Sequence, residues 1–173
     1  MLKNINILKL FMDEPTREFN VREVARLTKH SAPTVSKELK AMAQQKILKY
    51  RKERMLHLYR ANLESESYRE LKRFWIQHTL RTTGLIEELN EFYLKPTIVL
   101  FGSAAQGLDT ETSDIDICVI SETSKQHNVQ KFEKKLKRAL HIIPVTTISE
   151  IGNKHLQQNI LNGTVIQGEF SWT

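Results

Sequence analysis

Two carboxylates near the middle of the chain have the type and spacing that metal chemistry needs. Asp114 and Asp116 begin the apolar run from Ser113 to Ile120, which is typical of a buried strand. Strand alternation places both carboxylates on one side, about 6–7 Å apart along the backbone. Two carboxylates at that spacing can hold Mg²⁺, a hard ion that prefers oxygen ligands and often bridges to the phosphates of a substrate.

A second pair of residues that could take part in the chemistry follows the apolar run 97–101, which also predicts a buried strand. Gly102 permits the close backbone approach that phosphate binding requires. Ser103 offers a hydroxyl and a backbone N–H at the start of an expected helix. Together with Asp114 and Asp116, this pair predicts a site that holds a nucleoside triphosphate and its metal for in-line attack.

The combined pattern is Phe101-Gly102-Ser103, a spacer of ten residues, then Asp114-Ile115-Asp116-Ile117. It resembles the polymerase-β-type nucleotidyltransferase superfamily, and Gly107, Ser113 and the tail 160–166 match its minimal, antitoxin-like members. The resemblance covers about residues 93–168. It implies an α+β domain at 94–173, with a mixed sheet and flanking helices. It also implies that Gly102 and Ser103 bind the nucleotide, ATP being the expected one, and that Asp114 and Asp116 are catalytic ligands of Mg²⁺.

Active members of that superfamily carry a third carboxylate on a later strand, and here the chain departs from the pattern. Alignment from the helix expected at 125–139 puts Pro144 at that position, and no Asp or Glu lies between Glu133 and Glu150. Proline also restricts its strand to an edge or a bulge. Loss of a positioned general base typically costs about 10²–10⁴ in rate. His141 leads into this strand and could approach the site, but it is interpreted as a surface histidine, and Cys118 is interpreted as a small core residue.

The first third of the chain is strongly basic. Residues 1–62 hold 14 Lys and Arg against 6 Asp and Glu, whereas 63–95 and 96–173 each carry a net charge of −1. Periodicity predicts a helix at 4–11, an extended connector at 19–21, a helix capped by Asn20, and a third helix capped by Ser31 with Pro33 in its first turn. Two strands, 47–50 and 55–59, then flank a charged tip at 51–54.

This order of elements resembles the winged helix-turn-helix domains of small prokaryotic transcription regulators, over residues 1–62. The resemblance implies that the third helix enters the major groove of double-stranded DNA and that the wing approaches the backbone. The DNA-binding candidates are Ser31, Thr34, Ser36, Lys37 and Lys40 on the helix, and Arg51, Lys52 and Arg54 at the wing tip. The alternative is a solvated surface used only for protein contacts.

Residues 63–93 connect the two domains as one long helix, or as two helices broken near Gly84. The aromatic face of this connector predicts either packing within the chain or a homodimer. No apolar run reaches the ~20 residues that span a membrane, the N-terminus shows no signal peptide, and Cys118 is the single cysteine, so a cytoplasmic protein is expected.

Two functions therefore stay open from the sequence. The first is a DNA-binding enzyme that transfers a nucleoside monophosphate from NTP to a hydroxyl on a protein or a small molecule such as an aminoglycoside. The second is a transcription regulator whose degenerate transferase domain senses a nucleotide or binds a partner protein.

Overall fold

A computed structural model of the protein describes residues 5–170, and the chain divides into two units between Lys72 and Arg73. Within the described range there are eight α-helices, one 3₁₀ turn and two sheets. The boundary falls inside α4 (Glu66–Thr82), so one helix continues from the first unit into the second. Between residues 5 and 170, no helix combines the length and apolar character needed to cross a membrane.

The first unit alternates short helices with a small antiparallel sheet. Its elements are α1 (Ile5–Asp13), β1 (Phe19–Asn20), α2 (Val21–Thr28), α3 (Ala32–Gln44), β2 (Leu48–Glu53) and β3 (Leu56–Ala61), and the sheet order is β1-β3-β2. Side-chain caps begin two of the helices, because Asn20 accepts the Glu23 N–H and Ser31 accepts the Thr34 N–H. Both caps were predicted; the expected start of the first helix at Asn4 lies outside the described residues.

The hairpin is longer than the sequence predicted. Pairing between β2 and β3 continues to Glu53 and Leu56, so Arg51 and Lys52 lie within β2 and only Arg54 belongs to the turn. Arg54 adopts a positive φ of 52°, which closes this short connection. The turn is therefore two residues long, Arg54 and Met55, and the other charged side chains of the predicted tip lie along β2.

The second unit is a mixed sheet with helices on both faces. Its further elements are α5 (Leu85–Phe92), β4 (Thr97–Phe101), α6 (Gly102–Gln106), β5 (Ile115–Ile120), α7 (Gln130–Leu136), β6 (Leu140–Val145), a 3₁₀ turn (Ile148–Glu150), α8 (Lys154–Leu161) and β7 (Thr164–Gln167). The strand order is β6-β5-β4-β7, with β5 parallel to β6 and the other pairs antiparallel. This mixed α+β architecture is consistent with the predicted nucleotidyltransferase fold.

Alternation along β5 separates two cores. Ile115, Ile117 and Val119 pack with the buried residues of α4, α5 and Phe132. Cys118 packs on the opposite face with Val145 and Ile160. Asp116 has the same parity as Cys118, so its carboxylate belongs to the α8 face of the sheet.

The predicted connector consists of two helices, α4 and α5, which break at Gly84. Its φ of 83° is a left-handed conformation that glycine adopts without steric cost. The helix expected at 125–139 is shorter than predicted, since α7 begins only at Gln130. Tyr93 Oη donates to the Lys125 carbonyl at 2.7 Å and His127 contacts Glu88, so tertiary contacts hold the preceding segment in a non-helical path.

Candidate functional site

The N-terminal end of β5 and the C-terminal end of β4 meet around one carboxylate. Phe101 pairs with Asp116, so Gly102, the next residue, lies beside that side chain. A Cβ atom added to Gly102 would lie only 2.5 Å from Asp116 Oδ2. Gly102 also has a φ of 69°, which favours glycine sterically. The absence of a side chain at residue 102 therefore leaves the space that the Asp116 carboxylate occupies.

Ser103 and Asp114 are the other two residues predicted for this site, and both precede Asp116 in the chain. Ser103 is half-buried in the first turn of α6, and its carbonyl accepts the Leu108 N–H at 3.0 Å, which closes the C-terminal end of this helix. Asp114 is the exposed residue immediately before β5, with its side chain accessible to solvent. The four predicted site residues thus come from two adjacent strand ends, as the motif implied.

A buried ion pair holds the loop that leads to Asp114. Arg138 Nη1 donates to Asp109 Oδ2 at 2.5 Å, and the Asp109 side chain is fully buried. The same guanidinium donates to the carbonyls of Ser113, at 2.7 Å, and Asp114, at 3.1 Å. This arrangement fixes the backbone just before β5, and no motif in the sequence pointed to it.

The neighbour of Asp116 on β6 is His141 and not Pro144, which corrects the alignment made from the sequence. In the parallel register Asp116 pairs with His141, whereas Pro144 pairs with Val119 three residues further along. Alternation turns Pro144, which is buried, toward the opposite face of the sheet. Its place on an edge strand agrees with the restriction predicted for proline.

His141 is an exposed residue, as interpreted from the sequence, and it lies beside Asp116 at the candidate site. Its Nδ1 lies 3.2 Å from Asp116 Oδ1, while its side chain is 63% exposed and that of Asp116 is 26% exposed. A signal for it was present in the sequence, since His141 is the single polar residue of the otherwise apolar strand 140–145. The register that brings it beside Asp116 could not be derived from that pattern.

One further candidate, the single cysteine, has a clear outcome. Cys118 is fully buried, and burial raises the pKa of its thiol to about 11, so the thiol is protonated at neutral pH and is a core residue, as predicted. Among residues 5–170 there is no group of three His, Cys, Asp or Glu side chains arranged to hold a metal. The protein itself thus presents a contacting pair, Asp116 and His141, with Asp114 two residues before Asp116.

The predicted DNA-binding residues lie on α3 and on the β2–β3 hairpin. Thr34, Lys37 and Lys40 are exposed on α3, Ser36 is half-buried, and Ser31 is exposed at the N-cap, where its hydroxyl contacts that of Thr34 at 2.8 Å. Lys52 and Arg54 are exposed on the hairpin.

Arg51 differs from its neighbours because carboxylates surround its guanidinium. It donates twice to Glu18, at 2.7 and 2.6 Å, and once to Glu53, at 2.6 Å. Hydrogen bonds from Arg51 lower the pKa of the Glu18 carboxyl, and the same bonds raise the pKa of Arg51 itself. This cation is therefore engaged within the chain in the absence of a partner.

A family model described as nucleotidyltransferase domain matches residues 83–166. The matched stretch includes Gly102, Ser103, Asp114, Asp116 and His141. No protein with a curated description matches the chain. The family match supports a nucleotidyl transfer function in general terms, and domains of this kind typically use a nucleoside triphosphate and Mg²⁺.

Proposed function

We propose that the second unit transfers a nucleoside monophosphate from NTP to a hydroxyl acceptor with the help of a divalent metal ion, expected from the family to be Mg²⁺. We further propose that the first unit is a winged helix-turn-helix domain that binds double-stranded DNA, in a cytoplasmic homodimer. ATP is the proposed nucleotide. The acceptor is a hydroxyl of a protein partner or of a small molecule.

The observation that carries the transferase proposal is the close approach of Gly102 to Asp116. A side chain at residue 102 would collide with Asp116 Oδ2, so the turn and the carboxylate are fitted to each other. Outside the family motif this would be an ordinary strand-to-helix turn. Within residues 83–166, which match the nucleotidyltransferase model, it is the point where phosphate and metal binding are expected to coincide.

The residues fit the groups that the reaction needs. Asp116 and the exposed Asp114 would hold the metal, which supplies charge stabilisation to the phosphates when bound. The Gly102 backbone allows a phosphate to approach closely, and Ser103 offers its hydroxyl and N–H to phosphate oxygens. Arg138 keeps the Asp114 backbone in place through the Ser113 and Asp114 carbonyls.

The DNA-binding proposal is supported by element order and charge. The first unit has a helix–helix–hairpin sequence, α2, α3 and β2–β3, that suits a winged helix. The net charge of +8 over residues 1–62 favours a polyanionic partner. Phe74 of α4 is 59% exposed, and we propose that a second copy of the chain packs on this side chain in the homodimer.

One observation favours a second candidate function. The residue beside Asp116 on β6 is a histidine, so no carboxylate from that strand completes the Asp114–Asp116 pair. A domain of this kind could bind a nucleotide without turning it over, and the protein would then be a regulator whose second unit senses a nucleotide or a partner protein.

Label transfer separates the two functions. The full chain is incubated with each α-labelled NTP, with Mg²⁺ or Mn²⁺, and with host-cell extract or an aminoglycoside as acceptor. Transfer that disappears in Asp114→Asn and Asp116→Asn, and that persists in the exposed carboxylate control Glu122→Gln, supports the enzyme. Saturable nucleotide binding without transfer supports the sensor, and absence of both contradicts the assignment of this site.

A further inference from the structure

We infer that His141 is a protein ligand of the divalent metal at this site and that its nitrogen makes the site prefer a first-row transition ion, with Mn²⁺ as the probe, over Mg²⁺. The inference rests on the proposed function only for the place of the metal. It concerns a residue that the motif does not contain.

The geometry of the pair is the first support. Asp116 Oδ1 and His141 Nδ1 are 3.2 Å apart. Two ligands in adjacent positions around a metal, each about 2.1 Å from it, are separated by roughly 3.0–3.4 Å. The two atoms therefore lie at the separation that a shared metal requires, and a metal held by both replaces their hydrogen bond.

The fold holds this pair in register from two directions. Asp116 and His141 are paired residues of parallel neighbouring strands, and both belong to the sheet face that carries Cys118 and Val145. Gly102 leaves room for the carboxylate on the side of β4. His141 lies on an edge strand and is 63% exposed, so a hydrated metal can reach the imidazole directly from solvent.

The donor types decide the metal preference. Mg²⁺ favours oxygen ligands and keeps much of its water, whereas imidazole nitrogen suits first-row transition ions better. Asp114 and Asp116 with a third carboxylate would form an all-oxygen set, but here an imidazole stands beside Asp116. The described residues present no complete three-donor cluster, so the positions beyond Asp116 and His141 are left to water and the phosphates of a nucleotide.

The test measures metal binding to the full chain without nucleotide. Mn²⁺ is titrated, and its binding is followed by electron paramagnetic resonance. The affinity for Mg²⁺ is measured by its competition with Mn²⁺. The ¹⁴N modulation of the electron spin echo reports whether an imidazole is a ligand of the bound Mn²⁺. We expect this modulation in the natural chain and in His155→Ala, which removes an exposed histidine of α8. We expect it to be lost in His141→Ala.

The substitution His141→Asp is the decisive variant, because it keeps a ligand and changes only its type. We expect the ratio of Mn²⁺ to Mg²⁺ affinity to fall by about tenfold. Unchanged ratios in His141→Asp, or nitrogen modulation that survives His141→Ala, would overturn the inference. If Mn²⁺ binds through His141 and no nucleotide is transferred, the proposed function fails alone; if nucleotide is transferred without nitrogen modulation, only this inference fails.

Discussion

Arg138 Nη1 lies 2.5 Å from the Oδ2 atom of Asp109, whose side chain is completely buried. The Arg138 side chain is only 11% exposed, so this ion pair is shielded from solvent on both sides. Since the same guanidinium binds the carbonyls of Ser113 and Asp114, the pair links the inside of the fold to the start of the candidate site.

Removing this guanidinium should destabilise the second unit. We expect Arg138→Ala to lower the free energy of unfolding by about 3–5 kcal/mol, because it leaves a buried carboxylate without its countercharge. Arg138→Lys should lose less, since an ammonium keeps the charge but cannot bind all three oxygens in the same geometry. Urea denaturation and hydrogen exchange of residues 107–118 measure both effects. The exposed Lys134→Ala is the control, and a loss in Arg138→Ala below about 1 kcal/mol would contradict the structural role.

Gly102→Ala tests the fit between the turn and the carboxylate. The substitution forces an L-residue into a φ of 69°, at a cost of roughly 1–2 kcal/mol, and places a Cβ 2.5 Å from Asp116 Oδ2. We expect metal binding and label transfer to fall together, because Asp116 must move away. Gly152→Ala is the matched control, since nothing lies within 4 Å of a Cβ there and its φ is outside the left-handed region. Equal behaviour of the two variants would show that Gly102 has no special role.

The interactions of Glu88 make the stability of the second unit depend on pH in the acid range. Hydrogen bonds from Lys131, at 2.5 Å, and His127, at 2.8 Å, lower the pKa of the Glu88 carboxyl from its ordinary value of 4.5. The stabilisation is therefore present above pH 4.5 and is lost as the pH falls through the lowered pKa. We expect Glu88→Gln to have a lower urea midpoint than the natural chain at pH 6 and the same midpoint once Glu88 is protonated. A midpoint difference that persists in acid would assign the effect to packing.

The chemistry-bearing residues of the second unit were predictable because they lie in one short stretch. Gly102, Ser103, Asp114 and Asp116 follow from two apolar runs and the turn residues between them, and the strands 97–101 and 115–120 form as expected. Local patterns of this kind need no knowledge of the rest of the fold. The mixed sheet came from the resemblance, and the one parallel and two antiparallel strand pairs agree with it.

Relationships over longer distances were not predictable from the pattern. Which residue lies opposite Asp116 depends on the register of the parallel strands β5 and β6. This register is set by packing on both faces of the sheet and not by the residues of β6 alone. Pro144 was therefore assigned to a position that His141 occupies. The shorter α7 also involves contacts that are distant in sequence, since the Tyr93 hydroxyl donates to the Lys125 carbonyl and His127 contacts Glu88 before the helix begins.

The β2–β3 hairpin, which we propose is the wing, offers a test in which neighbouring cations behave differently. Lys52 and Arg54 are exposed, whereas Arg51 is held by Glu18 and Glu53. If the wing contacts phosphates, each available cation should contribute about 0.9 to the slope of log affinity against log salt concentration. We therefore expect Lys52→Ala and Arg54→Ala each to reduce this slope by about one, with Arg51→Ala changing it less.

Glu53→Gln tests the opposite change, a gain in binding, because it frees one edge of the Arg51 guanidinium without removing a cation. We expect this variant to bind a random-sequence duplex more tightly than the natural chain and with a steeper salt dependence. Fluorescence anisotropy over a series of salt concentrations measures both quantities, and Lys9→Ala, on α1, is the basic control outside the wing. Identical slopes for the natural chain, the Lys52→Ala/Arg54→Ala double variant and Glu53→Gln would exclude the hairpin from the DNA interface and leave α3 as the only proposed contact.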